Sequence, residues 1–330
     1  MAYMERKTDR SQKPEETPAE FYASQNVKSK AEFEKWIDFA KENGAVATAP
    51  PVTRSDLGEE FEKQHPHISV RFHPTQSYNK ILYTVLKLAK HQQNAGVFVA
   101  EISELLTLKD AGAILRLDEL VDSEAGGREQ FLAPFIQGFL SNSYGDDKKL
   151  YALPLFRSTP IIYYNMTILQ DAGISLSQLP ATWEELEKTL KIIKGHTGKV
   201  PFGLAGTWYD WLFESFVRQN GGALANATNP QVEFDHPTTI ETLAFWKKLH
   251  DKGLMKRVKG AWKAAINGFV SFQTYPAIYY SSAGMAFVEK HASFAWMVDL
   301  MPKNWAYGTG VGAGNIFLSK YMNAQERQAA

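Results

Sequence analysis

The chain has 330 residues, enough for two domains or one large one, and its 36 Lys+Arg balance 36 Asp+Glu to a formal net charge of zero. That balance excludes the broad basic surface needed to bind nucleic acid or an acidic membrane. The absence of cysteine excludes disulfides, thiolate catalysis and Cys-ligated metals, and no apolar run reaches the ~18–20 residues that span a bilayer.

The opening stretch MAYMERKTDRSQKPEETPAE is charged and has no apolar segment, so it reads as a solvated leader with no visible signal peptide. Ala31–Asn43 sets Phe33, Trp36, Ile37, Phe39 and Ala40 at helical spacing and stops at Gly44; a short strand is expected over Ala45–Pro51. Ser55 caps a helix over Asp56–Gln64, which His65-Pro66-His67 ends. Ile68, Val70 and Phe72 alternate with polar residues as a half-buried strand should. An amphipathic helix over Asn79–Gln92, a buried strand over Val97–Ala100 ending in Glu101, and a helix over Ile102–Ala111 follow. Gly126-Gly127 then leads to a helical segment near Gln130–Leu140. Strands alternating with helices indicate an open α/β sheet with parallel strands.

Lys149–Asn165, KLYALPLFRSTPIIYYN, is extended chain. Pro154 and Pro160 exclude a continuous helix, and the polar island Arg157-Ser158-Thr159 interrupts an otherwise apolar run, as a cleft edge would. An ordinary loop between two core strands fits that pattern equally well. Beyond it, helices are expected over Met166–Ala172, from Thr182 with Glu185 as capping-box partner, over Trp208–Arg218, over Thr238–Gly253 capped by Thr238 or Thr239, over Trp262–Val270 and over Ala283–His291. Strands are expected over Pro201–Leu204, Ala277–Tyr280 and Ala295–Leu300, with a Gly-rich strand region over Gly308–Lys320 and a polar tail over Asn323–Ala330.

Three chemical motifs are weak. Gly308, Gly310 and Ala313 fit G-x-G-x-x-A, but a strand and not a helix is expected after them, which argues against a dinucleotide site. His65, His67 and His73 lack a further ligand and read as solvated loop rather than a metal site. No nucleophile elbow or Ser/His/Asp order stands out, and no cofactor is expected.

The stretch KLYALPLFRSTPIIYYN, then DAGI at Asp171–Ile174, then PATWEELEKTLKII at Pro180–Ile193, resembles the core of the family 1 extracellular solute-binding proteins, the ligand receptors of ABC importers. SDLGEEFEKQHPHISVRF, QSYNKIL, GVFVAEISELLTL, AGTWYDW and AIYYSSAGM extend the likeness over roughly Leu57–Lys320. The nearest subgroup is the glycerol-3-phosphate and oligosaccharide receptors. The resemblance implies an α/β fold of the two-lobed periplasmic-binding-protein type, with open mixed sheets flanked by helices and an interlobe ligand cleft. Residues 1–44 would be leader plus helix, 45–155 and 284–320 lobe 1, 156–283 lobe 2 and 321–330 a tail.

Carried over by motif, the ligand contacts are Tyr78, Glu101, Ser158, Trp208, Ser282 and Gly312, with Arg157 and Trp211 as further candidates and no metal. Each sits at a strand end or a helix start, where open α/β sheets bind ligands. Ser hydroxyls suit phosphate or sugar oxygens, Trp208 the apolar face of a sugar, and Glu101 vicinal hydroxyls. Tyr78 could instead anchor a loop, Trp208 belong to the core and Glu101 cap a helix.

The implied function is capture of sn-glycerol-3-phosphate or a sugar by hinge closure, for delivery to ABC permease subunits by a monomer that performs no chemistry and meets no nucleic acid. The implied location is periplasmic or extracytoplasmic. ENGAVATAPPV replaces the family's opening-strand pattern, Thr274 stands where a Gly usually does, and the family pattern continues past the last residue here, which puts binding in question. The alternatives are a carbohydrate-active enzyme, which needs two facing carboxylates, and a truncated paralogue that serves as an interaction module.

Overall fold

The computed structural model describes residues 54–73, 77–206, 209–225, 232–260, 263–312 and 314–329. The expected Ala31–Asn43 helix, the strand near Ala45–Pro51 and Trp208 lie outside them. The chain divides into two compact units. Of the described residues, one holds those of 54–157 and 312–329, the other those of 158–311.

The first passage through unit one runs α1 (Arg54–Gln64), α2 (Tyr78–Lys90), β1 (Val97–Glu101), a 3-10 turn over Ile102–Glu104, α3 (Leu105–Asp110), α4 (Asp118–Ser123), α5 (Gly127–Leu132), α6 (Gln137–Leu140) and β2 (Leu153–Pro154). Unit two continues with β3 (Pro160–Asn165), α7 (Met166–Asp171), α8 (Trp183–Thr197), β4 (Phe202–Ala205), α9 (Tyr209–Gln219), α10 (Pro237–Asp251), β5 (Met255–Val258), α11 (Lys263–Val270), β6 (Ala277–Ser281), α12 (Met285–His291) and β7 (Trp296–Asp299). The chain re-enters unit one with β8 (Gly314–Leu318) and α13 (Ala324–Ala329). No described helix is long and apolar enough to cross a membrane.

Local chemistry explains the strongest elements. Ser77 caps α2, its Oγ accepting from Lys80 N at 3.3 Å, and Val85 and Ala89 mark the buried stripe. In α8 the Thr182 Oγ1 accepts from Glu185 N at 3.2 Å while Glu185 Oε2 accepts from Thr182 N at 3.1 Å, a complete capping box. Gly198, with φ of 65°, closes the same helix in the left-handed region.

Unit one is built on a three-stranded sheet, order β1-β8-β2, in which both pairings are antiparallel. The expectation of parallel strands therefore fails here. The central strand, β8, arrives after the whole of unit two, and a strand returning from so far along the chain carries no local crossover to impose parallel direction. The expected strand over Ile68–Phe72 does not form either. Val70 N donates to Glu62 Oε1 of α1 at 2.6 Å, and Phe72 remains exposed. Beneath the sheet, Val85, Ala100, Leu105, Leu108 and Phe317 form the core, with Phe98 stacked on Phe317.

Unit two carries a mixed five-stranded sheet, order β5-β4-β6-β3-β7, with β4 parallel to both neighbours and β3 antiparallel to β6 and β7. Every residue of β3 is buried, and Tyr163 stacks on Trp296. Residues 284–311, expected with the first lobe, belong to this unit because β7 pairs with β3. The expected Thr238 or Thr239 cap of α10 is instead His236, whose Nδ1 accepts from Thr238 N at 3.4 Å ahead of Pro237.

Candidate functional site

The carried-over residues fall into two sets, one in each unit. In unit one the set closes around Gly314, the first residue of β8. Its carbonyl accepts from Leu155 N, Phe156 N and Arg157 Nη1 at 3.2, 3.1 and 3.2 Å. A Cβ at Gly314 would stand 2.6 Å from Val99 Cγ1 and 3.1 Å from Tyr78 Oη, so only glycine lets β1 and α2 approach this closely. Glu101 is its register partner across the sheet. Tyr78, on the first turn of α2, and Glu101, at the carboxyl end of β1, are both half-buried. Gly314 thus gathers Tyr78 and Glu101. Gly312, two positions earlier, is half-buried ahead of β8. Sequence reasoning missed Gly314 because GVGAGN offers three glycines and the strand register alone decides between them.

Arg157 is occupied by its own chain. Nη1 donates to Phe156 O and Gly314 O, and Nη2 donates to Phe139 O at 3.0 Å and Asn315 Oδ1 at 2.7 Å. The guanidinium lies 5.5 Å from the Phe139 ring centroid. Burial lowers its pKa, and the charge interaction with Tyr78 partly offsets this. Its donors hold β8 and the chain after β2 together. Asn315, fully buried, completes the same cluster by donating to Asn142 O at 2.9 Å.

In unit two, Ser158 is half-buried, and its hydroxyl makes no hydrogen bond among the described residues. Next to it the chain is fixed firmly. Thr159 N donates to Ser282 Oγ at 3.1 Å and Ser282 N to Thr159 O at 2.8 Å, extending the β3–β6 ladder past its last strand pair. Ser282 is half-buried and keeps its hydroxyl proton to donate. Thr159 Oγ1 meets Thr309 Oγ1 at 2.8 Å, and Gly310 N donates to Ser215 Oγ at 3.2 Å.

Trp211, half-buried in the first turn of α9, lies against this loop: a Cβ at Gly310 would stand 2.8 Å from its Nε1. A Cβ at Gly308 would reach the Arg218 carbonyl carbon at 3.0 Å. These glycines therefore serve close packing onto α9. The chain continues into β8, so the helix a dinucleotide loop requires does not follow. Beneath them Tyr279, on β6, is fully buried, and that burial pushes its phenol well above the usual range, with the neighbouring Ser215, Gln219 and Thr309 side chains opposing the rise. Gln219 Nε2 holds Gly308 O at 3.0 Å and its Oε1 accepts from Trp183 Nε1 at 3.1 Å. This Ser215–Gln219 support has no signature in the sequence, because the groups it holds, Gly308, Gly310 and Trp183, come from the returning loop and α8.

The unit-one set offers a phenol and a carboxylate, and the unit-two set offers hydroxyls and an indole, each at strand ends and helix starts. That is the chemistry for holding a small polar solute. His65 and His67 lie 6.3 Å apart ring to ring, edge-on, and among the described residues no three metal-ligating side chains gather.

Comparison with known proteins places these features. The family model described as bacterial extracellular solute-binding protein matches residues 44–321. The sn-glycerol-3-phosphate-binding periplasmic protein UgpB of Escherichia coli strain K12 is 27% identical over 288 residues, covering 79% of this chain and 62% of the relative. UgpB of Pectobacterium atrosepticum is 25% identical over 264 residues, covering 75% and 56%. The chain thus spans less than two thirds of the length of these curated relatives. Among solved structures, UgpB from Mycobacterium tuberculosis in complex with glycerophosphocholine superposes with a TM-score of 0.72 at 20% identity, covering 83% of this chain and 71% of that one. The GacH receptor of Streptomyces glaucescens, solved unliganded and with acarbose, gives 0.70 at 21% identity, with 83% and 70% covered. These likenesses identify a two-lobed solute-binding fold.

Proposed function

The chain belongs to the bacterial extracellular solute-binding protein family, and on that premise we propose that it captures a small polyhydroxylated solute of the glycerol-phosphate or oligosaccharide class for an ABC importer. In this reading it works outside the cytoplasm as a monomer, performs no chemistry and delivers its solute to a membrane permease. The observation that carries the reading is the pair of strand-end sets. Tyr78 and Glu101 stand around Gly314, and Ser158 and Ser282 stand at the end of the β3–β6 ladder. Glu101 accepts from vicinal hydroxyls, the Ser158 and Ser282 hydroxyls donate to phosphate or sugar oxygens, and Tyr78 and Trp211 bound the apolar side.

A thermal-denaturation screen with sn-glycerol 3-phosphate, glycerophosphocholine and maltodextrins tests it. The expected result is a concentration-dependent rise in melting temperature with at least one of them and no change in the recovered compound. Turnover of the compound would establish an enzyme. No rise with any of them would establish the non-binding paralogue.

A further inference from the structure

On unit two, away from the strand ends just described, Lys199, Val200, Lys256, Phe272, Thr274 and Tyr275 line an open cavity of about 290 Å³. It lies where the chain enters β4 and β6 and along the start of β5, the opposite end of the parallel strands from their carboxyl ends.

The floor is purpose-shaped. The Tyr275 ring, 8% exposed, is seated on two glycines, since a Cβ at Gly203 would lie 3.0 Å from its Cγ and one at Gly268 3.2 Å from its Cδ2. Two positions earlier Gln273 holds a φ of 45°, a left-handed conformation that disfavours any side-chain-bearing residue. Its carbonyl accepts from Lys199 Nζ at 3.4 Å. Phe272 forms an exposed apolar wall, at 74% exposure.

The polar side chains lining this floor are two lysine ammonium groups, which only donate, and two hydroxyls, which both donate and accept. Among the described residues Lys199 has no carboxylate partner, and Lys256 and the hydroxyls of Thr274 and Tyr275 have no side-chain partner. Among the described residues no carboxylate lines the cavity. The neighbouring segment 252–263, KGLMKRVKGAWK, contains five basic residues and no acid, in a chain whose charges otherwise balance. Cations on an edge strand such as β5 protect it from pairing with other chains. That role accounts for Lys256 and Arg257. It does not account for Lys199, which arrives from the end of α8, or for a ring seated on two glycines.

We propose that this cavity is a second binding site, for a small organic anion whose phosphate or carboxylate meets Lys199 and Lys256 while an apolar or aromatic body rests on Tyr275, Phe272 and Val200. The site is independent of the strand-end residues and of the solute they hold.

The test is titration of 4-nitrophenyl phosphate into 15N-labelled protein, in parallel with inorganic phosphate and with 4-nitrophenol. Saturable shifts are expected at the amides of Val200, Thr274 and Tyr275, with the intact probe binding at least about tenfold tighter than either fragment. Lys199→Glu with Lys256→Glu is expected to weaken the probe by about tenfold or more while melting temperature holds. Phe272→Ala is expected to weaken the probe and leave inorganic phosphate unchanged. The melting-temperature response to sn-glycerol 3-phosphate is expected to be the same in these variants as in the parent, which separates this site from the proposed function. Absence of saturable shifts at those amides overturns the proposal. So does a shift pattern spread along residues 252–263 that survives the double charge reversal, or inorganic phosphate binding as tightly as the whole probe.

Discussion

At the scale of single residues, the two sets differ in what a substitution removes. Among the described residues the Ser158 hydroxyl has no hydrogen-bond partner, so Ser158→Ala removes no described contact from the fold. The expected outcome is a loss of solute affinity of about 1 kcal/mol, several-fold in Kd, with an unchanged melting temperature. Calorimetric titration and denaturation of the same variant check it, and an unfolded variant with intact affinity would make the residue structural. Gly314→Ala is the reverse case. A new methyl 2.6 Å from Val99 Cγ1 must push β1 or β8 aside, and overpacking of this kind costs about 1–3 kcal/mol. The expected outcome is a lower melting temperature together with weaker binding, because Tyr78 Oη stands against the same carbon. These residues also show how far local sequence reaches. Glu101, Ser158 and Ser282 are legible as positions beside strand ends and Tyr78 as a helix start, but it is the family motifs that single them out as ligand contacts. Arg157 is legible as a polar residue in an apolar run, but its four carbonyl and amide acceptors come from Phe139, Phe156, Gly314 and Asn315, which only the folded sheet brings together.

At the scale of elements, α8 is the clearest case, and its stability is testable at both ends. Thr182→Ala removes the acceptor for Glu185 N and is expected to cost about 1 kcal/mol, read as a shift in the denaturation midpoint at constant slope. On its inner face Glu187, 7% exposed, meets Lys191 Nζ at 2.8 Å, Lys248 Nζ of α10 at 2.5 Å and Lys252 Nζ at 2.6 Å. Hydrogen bonds from Lys191, Lys248 and Lys252 lower its pKa from 4.5 to about 2, against the opposing cost of burial. A carboxylate whose pKa is lower in the folded than in the unfolded chain stabilises above the unfolded value, and that stabilisation fades as pH falls from 4.5 towards 2. All three lysines reach solvent, so screening holds the contribution to about 1 kcal/mol. Glu187→Gln is expected to flatten the stability profile over that interval and lower stability at pH 7, and an unchanged profile would show that the lysines contribute nothing there. One element that sequence patterning missed is β5. Its MKRV alternates buried, exposed, exposed, buried, which matches neither helix nor strand periodicity, and only pairing with β4 defines it. Ile68–Phe72 failed in the opposite direction, with a strand pattern but no pairing edge among the described residues. Periodicity states which backbone is able to pair, while partners decide which does.

At the scale of the whole molecule, each unit has a core of its own. One is centred on Phe317 and Leu108, the other on Tyr163, Phe216, Phe269 and Tyr279. The first crossing between units falls in the stretch marked by Pro154 and Pro160, which the sequence advertises. The return at Val311–Gly312 is not advertised, because β7 joins unit two through pairing with a strand more than a hundred residues earlier. Among the described residues the chain passes between the units at two short crossings, and a solute stabilises whichever unit supplies its contacts. Saturating solute at a hundred times its Kd adds about 2.7 kcal/mol to the state that binds it, a rise of several degrees for a unit of this size. Differential scanning calorimetry of the parent, Glu101→Gln and Ser158→Ala, each with and without sn-glycerol 3-phosphate, reads this out. Glu101 belongs to unit one and Ser158 to unit two, so a reduced rise in both variants assigns contacts to both strand-end sets. A rise that survives in full in both variants would remove these residues from the binding surface and send the search to other parts of the chain.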